Sequence, residues 1–286
     1  MSVATEVHRV PVQAGEFYRD NGYVIARGLF SPGEVERYRE HYMTLRRHGA
    51  YPGDFSGVEA TSADPLKRYP RMIHMHRWDE TSLRWLLDGR LNTWLTGLLG
   101  REPFAVQSML YFKPPQARGQ ALHQDNFYLR VRPGTCMAAW MALDPCDEAN
   151  GCLMVVPGSH TWPILCVEKA DTTVSFTDVT VPLPAGADVR PLRMDAGDVL
   201  FFNGSLVHGS YPNTTTDRFR RALIGHYIEG AAAQMAHFYH PALRMDGTPL
   251  ELATSEEGGA CGVWVERDGV PVMEMIGREV IARKHE

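Results

Sequence analysis

Ala121-Leu122-His123-Gln124-Asp125-Asn126-Phe127-Tyr128 is the stretch from which the rest of the chain is read. It follows a Pro/Gly-broken loop, Lys113 to Gly119, and consists largely of strand-forming residues. Side chains at i and i+2 of a β-strand leave from one face. The sequence therefore predicts a strand over Leu122–Val131 that aims the His123 imidazole and the Asp125 carboxylate into one space. The pair alone is weak, because His-x-Asp arises by chance in many chains. A third ligand must come from elsewhere.

His208 supplies it. It stands in Asp198-Val199-Leu200-Phe201-Phe202-Asn203-Gly204-Ser205-Leu206-Val207-His208-Gly209-Ser210, whose first half reads as a buried strand closed by Asn203-Gly204. A turn at Pro212–Asp217 leads to a return strand, Phe219-Arg220-Arg221-Ala222-Leu223-Ile224. A hairpin centred near Thr214 sets residue 208 opposite 220, where cross-strand Cβ atoms lie roughly 4.5–5.5 Å apart. His208, Ser210 and Arg220 then share one pocket.

Two imidazoles and one carboxylate are the donor set of non-haem Fe(II) sites that keep open positions. A 2-oxoacid can chelate two of those positions and leave one for O2. If the acid is 2-oxoglutarate, its far carboxylate needs a fixed partner. Arginine suits that task, because its planar fork binds carboxylate bidentately and stays charged when buried. Ser210 can satisfy a remaining lone pair. By strand parity Arg220 and Arg221 point opposite ways, so one is the anchor; Arg218 shares the Arg220 face and is the alternative.

Composition narrows the function classes. A net charge of -5 argues against a nucleic-acid partner, and no apolar run is long enough to span a bilayer. The first eight residues, Met1 to His8, lack the profile of a secretory signal, so a soluble cytoplasmic protein is expected. Five cysteines without Cys-x-x-Cys read as reduced, mostly buried thiols. No Gly-x-Ser-x-Gly, Gly-Lys phosphate loop, Gly-x-Gly-x-x-Gly or His-Glu-x-x-His occurs.

The 286 residues read as one domain in three parts. Residues 1–100 are mostly helical: a frayed arm over 1–12, a short helix from Ala14 to Asn21, a strand at Gly22–Ala26, and a helix from Ser31-Pro32-Gly33-Glu34 to about Arg47. Residues 49–70 form a lid-like loop, and Asp79 to Gly100 carries one helical leucine and tryptophan stripe in which Trp85 and Trp94 are packing residues. Residues 101–229 are a run of short strands, and 230–286 form an extension with strand-like runs around Val263 and Val272. Helices placed before strands, rather than alternating with them, predict a mainly β fold with flanking helices.

His123-Gln124-Asp125, Trp140-Met141-Ala142-Leu143-Asp144, Asn150-Gly151-Cys152-Leu153, Pro157-Gly158-Ser159-His160 and His208-Gly209-Ser210 with Phe219-Arg220-Arg221-Ala222-Leu223 together resemble the phytanoyl-CoA dioxygenase (PhyH) family, over roughly Phe17 to Glu229. The resemblance implies a double-stranded β-helix, a jelly-roll or cupin-like barrel. It implies an Fe(II)- and 2-oxoglutarate-dependent hydroxylase that uses O2, with ascorbate as an aid in vitro. His123, Asp125 and His208 would bind iron, Arg220 and Ser210 the far carboxylate of 2-oxoglutarate, and Gln124, Trp140, Met109 and Lys113 would line the cosubstrate pocket. The partner is a small-molecule substrate. A divalent-metal hydrolase and a catalytically silent binding protein are the competing classes. His160 is expected to pin a loop, His226 to be core or solvent, and His74 and His76 to contact substrate before they would contact metal.

Overall fold

A computed structural model of the chain describes residues 10–54 and 57–277; the arm expected over 1–12 lies outside them but for its last three residues. Helix α1 (Val12–Asn21) is ended by Gly22 in the left-handed conformation, and β1 (Tyr23–Ala26) follows. Helix α2 (Pro32–Arg47) starts as predicted. The Ser31 hydroxyl accepts from the Glu34 N–H, and the Glu34 carboxylate accepts from the Ser31 N–H. Such a cap contributes about 1 kcal/mol. A short helix α3 (Pro65–Arg68) lies in the lid-like loop, and β2 (Met72–Ile73) follows it. The helical region expected from Asp79 to Gly100 holds two helices, α4 (Glu80–Leu86) and α5 (Gly89–Leu99). The Asp88 carboxylate accepts from the Arg90 N–H and so caps a new helix where the apolar stripe runs on unbroken.

Strands dominate from there. β3 (Phe104–Tyr111), β4 (Gln120–His123), β5 (Cys136–Ala142), β6 (Leu153–Val155), the small pair β7 (Glu168–Lys169) and β8 (Val179–Thr180), β9 (Arg190–Leu192), β10 (Val199–Asn203), β11 (His208–Ser210) and β12 (Ala222–Ile228) lie within the predicted core. The extension adds β13 (Gln234–Met235), β14 (Ala242–Leu243), β15 (Pro249–Leu250), β16 (Ala253–Thr254) and the hairpin β17 (Cys261–Arg267) with β18 (Val270–Ile276). One sheet runs β1-β10-β5-β12-β3-β14-β15, with β2 also on β3; the second runs β4-β11-β6-β9.

Strand alternation explains where the two cores sit. Ala138 and Trp140 of β5, Ala222 and Ile224 of β12 and Leu153 and Val155 of β6 pack together in the barrel interior. The intervening Met137, Ala139, Met141 and Leu223 pack the other way, onto Trp85, Leu91 and Trp94 of the helices. The Trp94 ring stacks on Phe201 with centroids 5.4 Å apart, so both tryptophans are packing residues as read. Strands β5 and β12 are thus buried on both faces, and these two strands hold the site's floor.

Three expectations are corrected. The strand expected over Leu122–Val131 stops at His123, and Asn126–Leu129 is a one-turn helix, α6, because Asp125 already has helical backbone angles. β11 and β12 do not form a hairpin: β11 pairs with β4 and β6, β12 with β3 and β5, and the intervening segment crosses between the sheets. The cysteines are not all reduced. Cys166 and Cys261 are disulfide-bonded, whereas Cys136, Cys146 and Cys152 are free and buried. Gly262 bridges the two backbones, accepting from the Cys166 N–H and donating to the Ile164 carbonyl, which sets the thiols side by side. His160 pins a loop as read: its ring nitrogen lies 3.1 Å from the Arg19 carbonyl, and its ring fills the space beside Gly22.

Candidate metal and cosubstrate site

His123 and His208 are register partners across β4 and β11, which brings their rings to a centroid distance of 4.2 Å. Asp125 joins them from the first turn of α6 rather than from a strand face. The ligand atoms of His123, Asp125 and His208 all lie within 4.8 Å of one another, and all three residues are buried. The Nδ1 of His123 lies 2.9 Å from the Ala121 carbonyl, and that of His208 lies 3.0 Å from the Leu206 carbonyl. A carbonyl only accepts, so each Nδ1 carries the proton and each Nε2 presents its lone pair to the cluster. The fold therefore fixes the tautomer that ligates metal. The Nε2 atoms lie 3.5 Å and 3.8 Å from the Asp125 carboxylate oxygens.

Electrostatics agree. Burial, with His123 adding, pushes His208 down to about 4 against the pull of Asp125, which favours the neutral, ligating imidazole. Burial pushes the Asp125 carboxyl up, but the neighbouring imidazoles of His208, His123 and His226 outweigh it and hold the group well below the usual carboxylate range. Two neutral imidazoles and one ionised carboxylate fit a divalent cation such as Fe(II). The reading of His226 as core or solvent missed its neighbour: its Nε2 lies 3.3 Å from Asp125 Oδ2. The signal was available, because His226 shares strand parity with Ile224 and Ala222 of the interior. Gln120, also unread, places its amide nitrogen 3.1 Å from His123 Nε2.

The second half of the site is a pair of buried cations. Arg220 reaches the interior from the segment before β12, where its N–H donates to the Lys113 carbonyl at 3.0 Å. Asn213 secures that segment by donating to the carbonyls of Lys113 and Arg218. The Arg220 guanidinium lies 5.2 Å over the Trp140 ring, and its Nε donates to the Gly151 carbonyl at 3.0 Å. Its Nη1 is buried with no partner, and among the described residues no carboxylate pairs with it. Lys113, in the left-handed region at φ 31, donates to Ser210 Oγ at 2.8 Å and to the Tyr211 carbonyl. Burial, then Arg220, pushes its ammonium well below the usual lysine range.

The neighbouring arginines are spent elsewhere. Arg218 forms an exposed pair with Asp147 at 2.7 Å, and Arg221 a fork with Asp144 at 2.7–2.8 Å. Met109, Ile224 and Trp140 are register partners in one row across β3, β12 and β5, the row whose Trp140 lies under the guanidinium. Gln124 is buried between the ligands, but its amide is engaged by the Ser205 and Pro163 carbonyls and the Leu165 N–H. His74 and His76 stand apart from the three ligands; His76 is hydrogen-bonded to Ser108 at 2.9 Å.

The fold and the sequence are similar to those of known proteins. Two solved structures share the fold. EvdO2 from Micromonospora carbonacea var. aurantiaca complexed with 2-oxoglutarate is 21% identical, with TM-score 0.61 over 84% of this chain and 97% of that one. EctD from S. alaskensis with 2-oxoglutarate and 5-hydroxyectoine is 22% identical, with TM-score 0.60 over 79% and 81%. The barrel is thus a double-stranded β-helix, the fold it shares with these two proteins. The peroxisomal phytanoyl-CoA dioxygenase of Bos taurus is 27% identical over 228 residues, covering 75% of this chain and 67% of that protein. Phytanoyl-CoA dioxygenase 1 of Oryza sativa subsp. japonica is 30% identical over 159 residues, 54% of this chain and 55% of that protein. The chain thus spans about two thirds of the length of the mammalian relatives it matches, and the share is 66% for the rat and mouse proteins. The family model described as phytanoyl-CoA dioxygenase (PhyH) matches residues 18–222, well over half the chain. This chain belongs to the phytanoyl-CoA dioxygenase family.

Proposed function

We propose that the chain is an Fe(II)- and 2-oxoglutarate-dependent oxygenase that oxidises an unactivated C–H bond of a small-molecule metabolite, with hydroxylation as the outcome. The observation that carries this reading is Arg220: a guanidinium buried next to Lys113, which reaches Ser210 on the His208 strand, with an unpaired N–H and, among the described residues, no carboxylate of its own. An unpaired buried charge is costly, so its natural partner is an anion from outside the chain. His123, Asp125 and His208 would hold Fe(II). Arg220 and Ser210 would hold the far carboxylate of 2-oxoglutarate, with Lys113 aiming the Ser210 hydroxyl and Trp140 and Met109 forming the wall. When bound, the metal with 2-oxoglutarate and O2 supplies the oxidant, releasing succinate and CO2.

The chain's own work is positioning. Ala121 and Leu206 hold the imidazole protons away from the metal, and His226 donates to Asp125 and fixes that carboxylate. The apolar interior around Trp140, Ile224 and Leu153 excludes water from the cosubstrate. Asp125 supports oxygenation over halogenation, because a carboxylate ligand occupies the position a halide would need. Among the described residues no helix is long and apolar enough to cross a membrane, and the neighbours' co-crystallised 5-hydroxyectoine and 2-oxoglutarate are small molecules.

The test is succinate release under air with Fe(II), 2-oxoglutarate and ascorbate for the wild type and His208→Ala, beside 2-oxoglutarate binding. Turnover and binding that depend on His208 support the reading. Zinc retention with indifference to 2-oxoglutarate would replace it with a metal hydrolase.

A further inference from the structure

Tyr111 of β3 joins Met109 on the interior side of the sheet. Its phenol oxygen accepts a hydrogen bond from Arg71 Nη1 at 3.1 Å, and the Arg71 guanidinium lies 6.0 Å over the Tyr111 ring. Arg71 immediately precedes β2, where Met72 pairs with Leu110 of β3, so it stands on the barrel rim. Its side chain is open to solvent, unlike the buried Arg220 and Lys113. Tyr111 foremost, against the opposing effect of the surrounding protein, holds the guanidinium above the usual arginine range, with Tyr239 and Tyr128 adding. Of these, Tyr128 stands near the candidate ligands: its ring lies 6.3 Å from that of His123. Arg71 thus stands at the rim end of the β3 face whose Met109 and Tyr111 pack with the barrel interior.

The same side chain borders a cavity of about 350 Å³ whose aromatic walls include Tyr69, Tyr111 and Phe176. That volume falls in the range of small-molecule sites. Three cations and two carboxylates line it. Lys67 is paired with Glu59 at 3.2 Å, and Arg118 with Asp64 at 2.7 Å. Among the described residues Arg71 has no carboxylate partner, and its hydrogen bond to Tyr111 engages one of five N–H donors. One positive charge is left over, aimed by a phenol, beside an aromatic wall.

The geometry points to Arg71 as the anion anchor of the substrate site: it takes the oxyanion, carboxylate or phosphate, of an organic acid whose apolar body lies against Tyr69, Tyr111 and Phe176. This rests on the oxygenase reading above and gives its substrate a chemical class. The far carboxylate of 2-oxoglutarate does not compete for the role, since Arg220 and Ser210 would take it in the interior. An arginine that was merely solvated would prefer no acid over its neutral counterpart.

The experiment is isothermal titration of 4-phenylbutyrate, phenyl phosphate and the neutral 4-phenylbutyramide into the purified full chain, with and without Mn(II) and 2-oxoglutarate. The expected result is that at least one acid binds about tenfold or more tighter than the amide, as a charge-assisted pair requires. Arg71→Gln removes the preference, and Arg71→Lys, which keeps the charge but not the fork, keeps part of it. A tighter phenyl phosphate assigns a phosphate ester, and a tighter 4-phenylbutyrate assigns a carboxylic acid. Acids and amide binding alike, or none binding, would overturn the proposal, as would an Arg71→Gln protein that retains the preference. Loss of 2-oxoglutarate binding in Arg71→Gln would also overturn it, by moving the residue into the cosubstrate site. Failure of the wild type to bind 2-oxoglutarate sinks the oxygenase reading instead, and the acid-over-amide comparison is scored independently of it.

Discussion

Replacing Arg220 by Met separates what the residue does for the fold from what it does for the cosubstrate. Methionine fills much of the same space without the charge. In the protein alone, the substitution removes a buried guanidinium whose Nη1 has no partner and whose neighbour is the Lys113 ammonium. An unsatisfied buried donor costs about 1–3 kcal/mol, while losing the Nε bond to the Gly151 carbonyl costs about 1 kcal/mol. The two nearly cancel, so Arg220→Met alone should be as stable as the wild type or slightly more so. With 2-oxoglutarate the sign reverses. Removing one partner of a buried charge pair costs about 3–5 kcal/mol, a factor of roughly 100 to 4,000 in affinity. The assay is thermal unfolding with Mn(II), with and without 2-oxoglutarate. At 100 times its dissociation constant the ligand stabilises the wild type by about 2.7 kcal/mol, roughly 5 °C in a chain of this size. The variant should show a shift below about 1 °C at the same concentration. A full ligand shift in Arg220→Met, or its destabilisation by more than about 2 kcal/mol without ligand, would refute the reasoning.

His208→Ala should abolish tight Fe(II) or Mn(II) binding while leaving the circular dichroism spectrum unchanged, which a metal titration checks. Gly151→Ala should lower both stability and 2-oxoglutarate affinity, because a Cβ at φ 88 would lie 2.7 Å from the Lys113 Cδ and the Tyr211 carbonyl; unfolding and ligand titration of the variant read both effects. The hydrogen bond from Arg90, reinforced by Ser31 against burial, holds the Glu34 carboxyl down to about 2 from its ordinary 4.5. Its stabilisation is therefore present above the unfolded value and lost as pH falls toward about 2. Glu34→Gln should lower the melting temperature near pH 7 by the equivalent of about 1 kcal/mol, with the gap closing below pH 4.5. Reductant should lower the melting temperature of the wild type but not of Cys261→Ser, since a bridge closing a long loop contributes about 2–4 kcal/mol.

The local rules written in the sequence carried most of the fold. Ser31 and Glu34 announce α2 because a capping box is local, and the double burial of β5 and β12 follows from unbroken apolar runs. The triad was legible as residue types, but its geometry was not. Strand parity placed His123 and Asp125 together, whereas the fold does so by ending β4 and starting a helical turn at Asp125. Arg220 likewise reaches the pocket by a crossing between sheets rather than by a hairpin register, information that depends on how distant strands pair. The disulfide was hidden because its cysteines are 95 residues apart in a chain with an odd number of them. His226 was underread because its partner, Asp125, lies 101 residues away in sequence.

The most direct test of the whole account is calorimetric titration of 2-oxoglutarate into Mn(II)-loaded protein. One site per chain is expected, dependent on the metal and lost in both His208→Ala and Arg220→Met. No binding by the wild type, or binding that survives both substitutions, would contradict it.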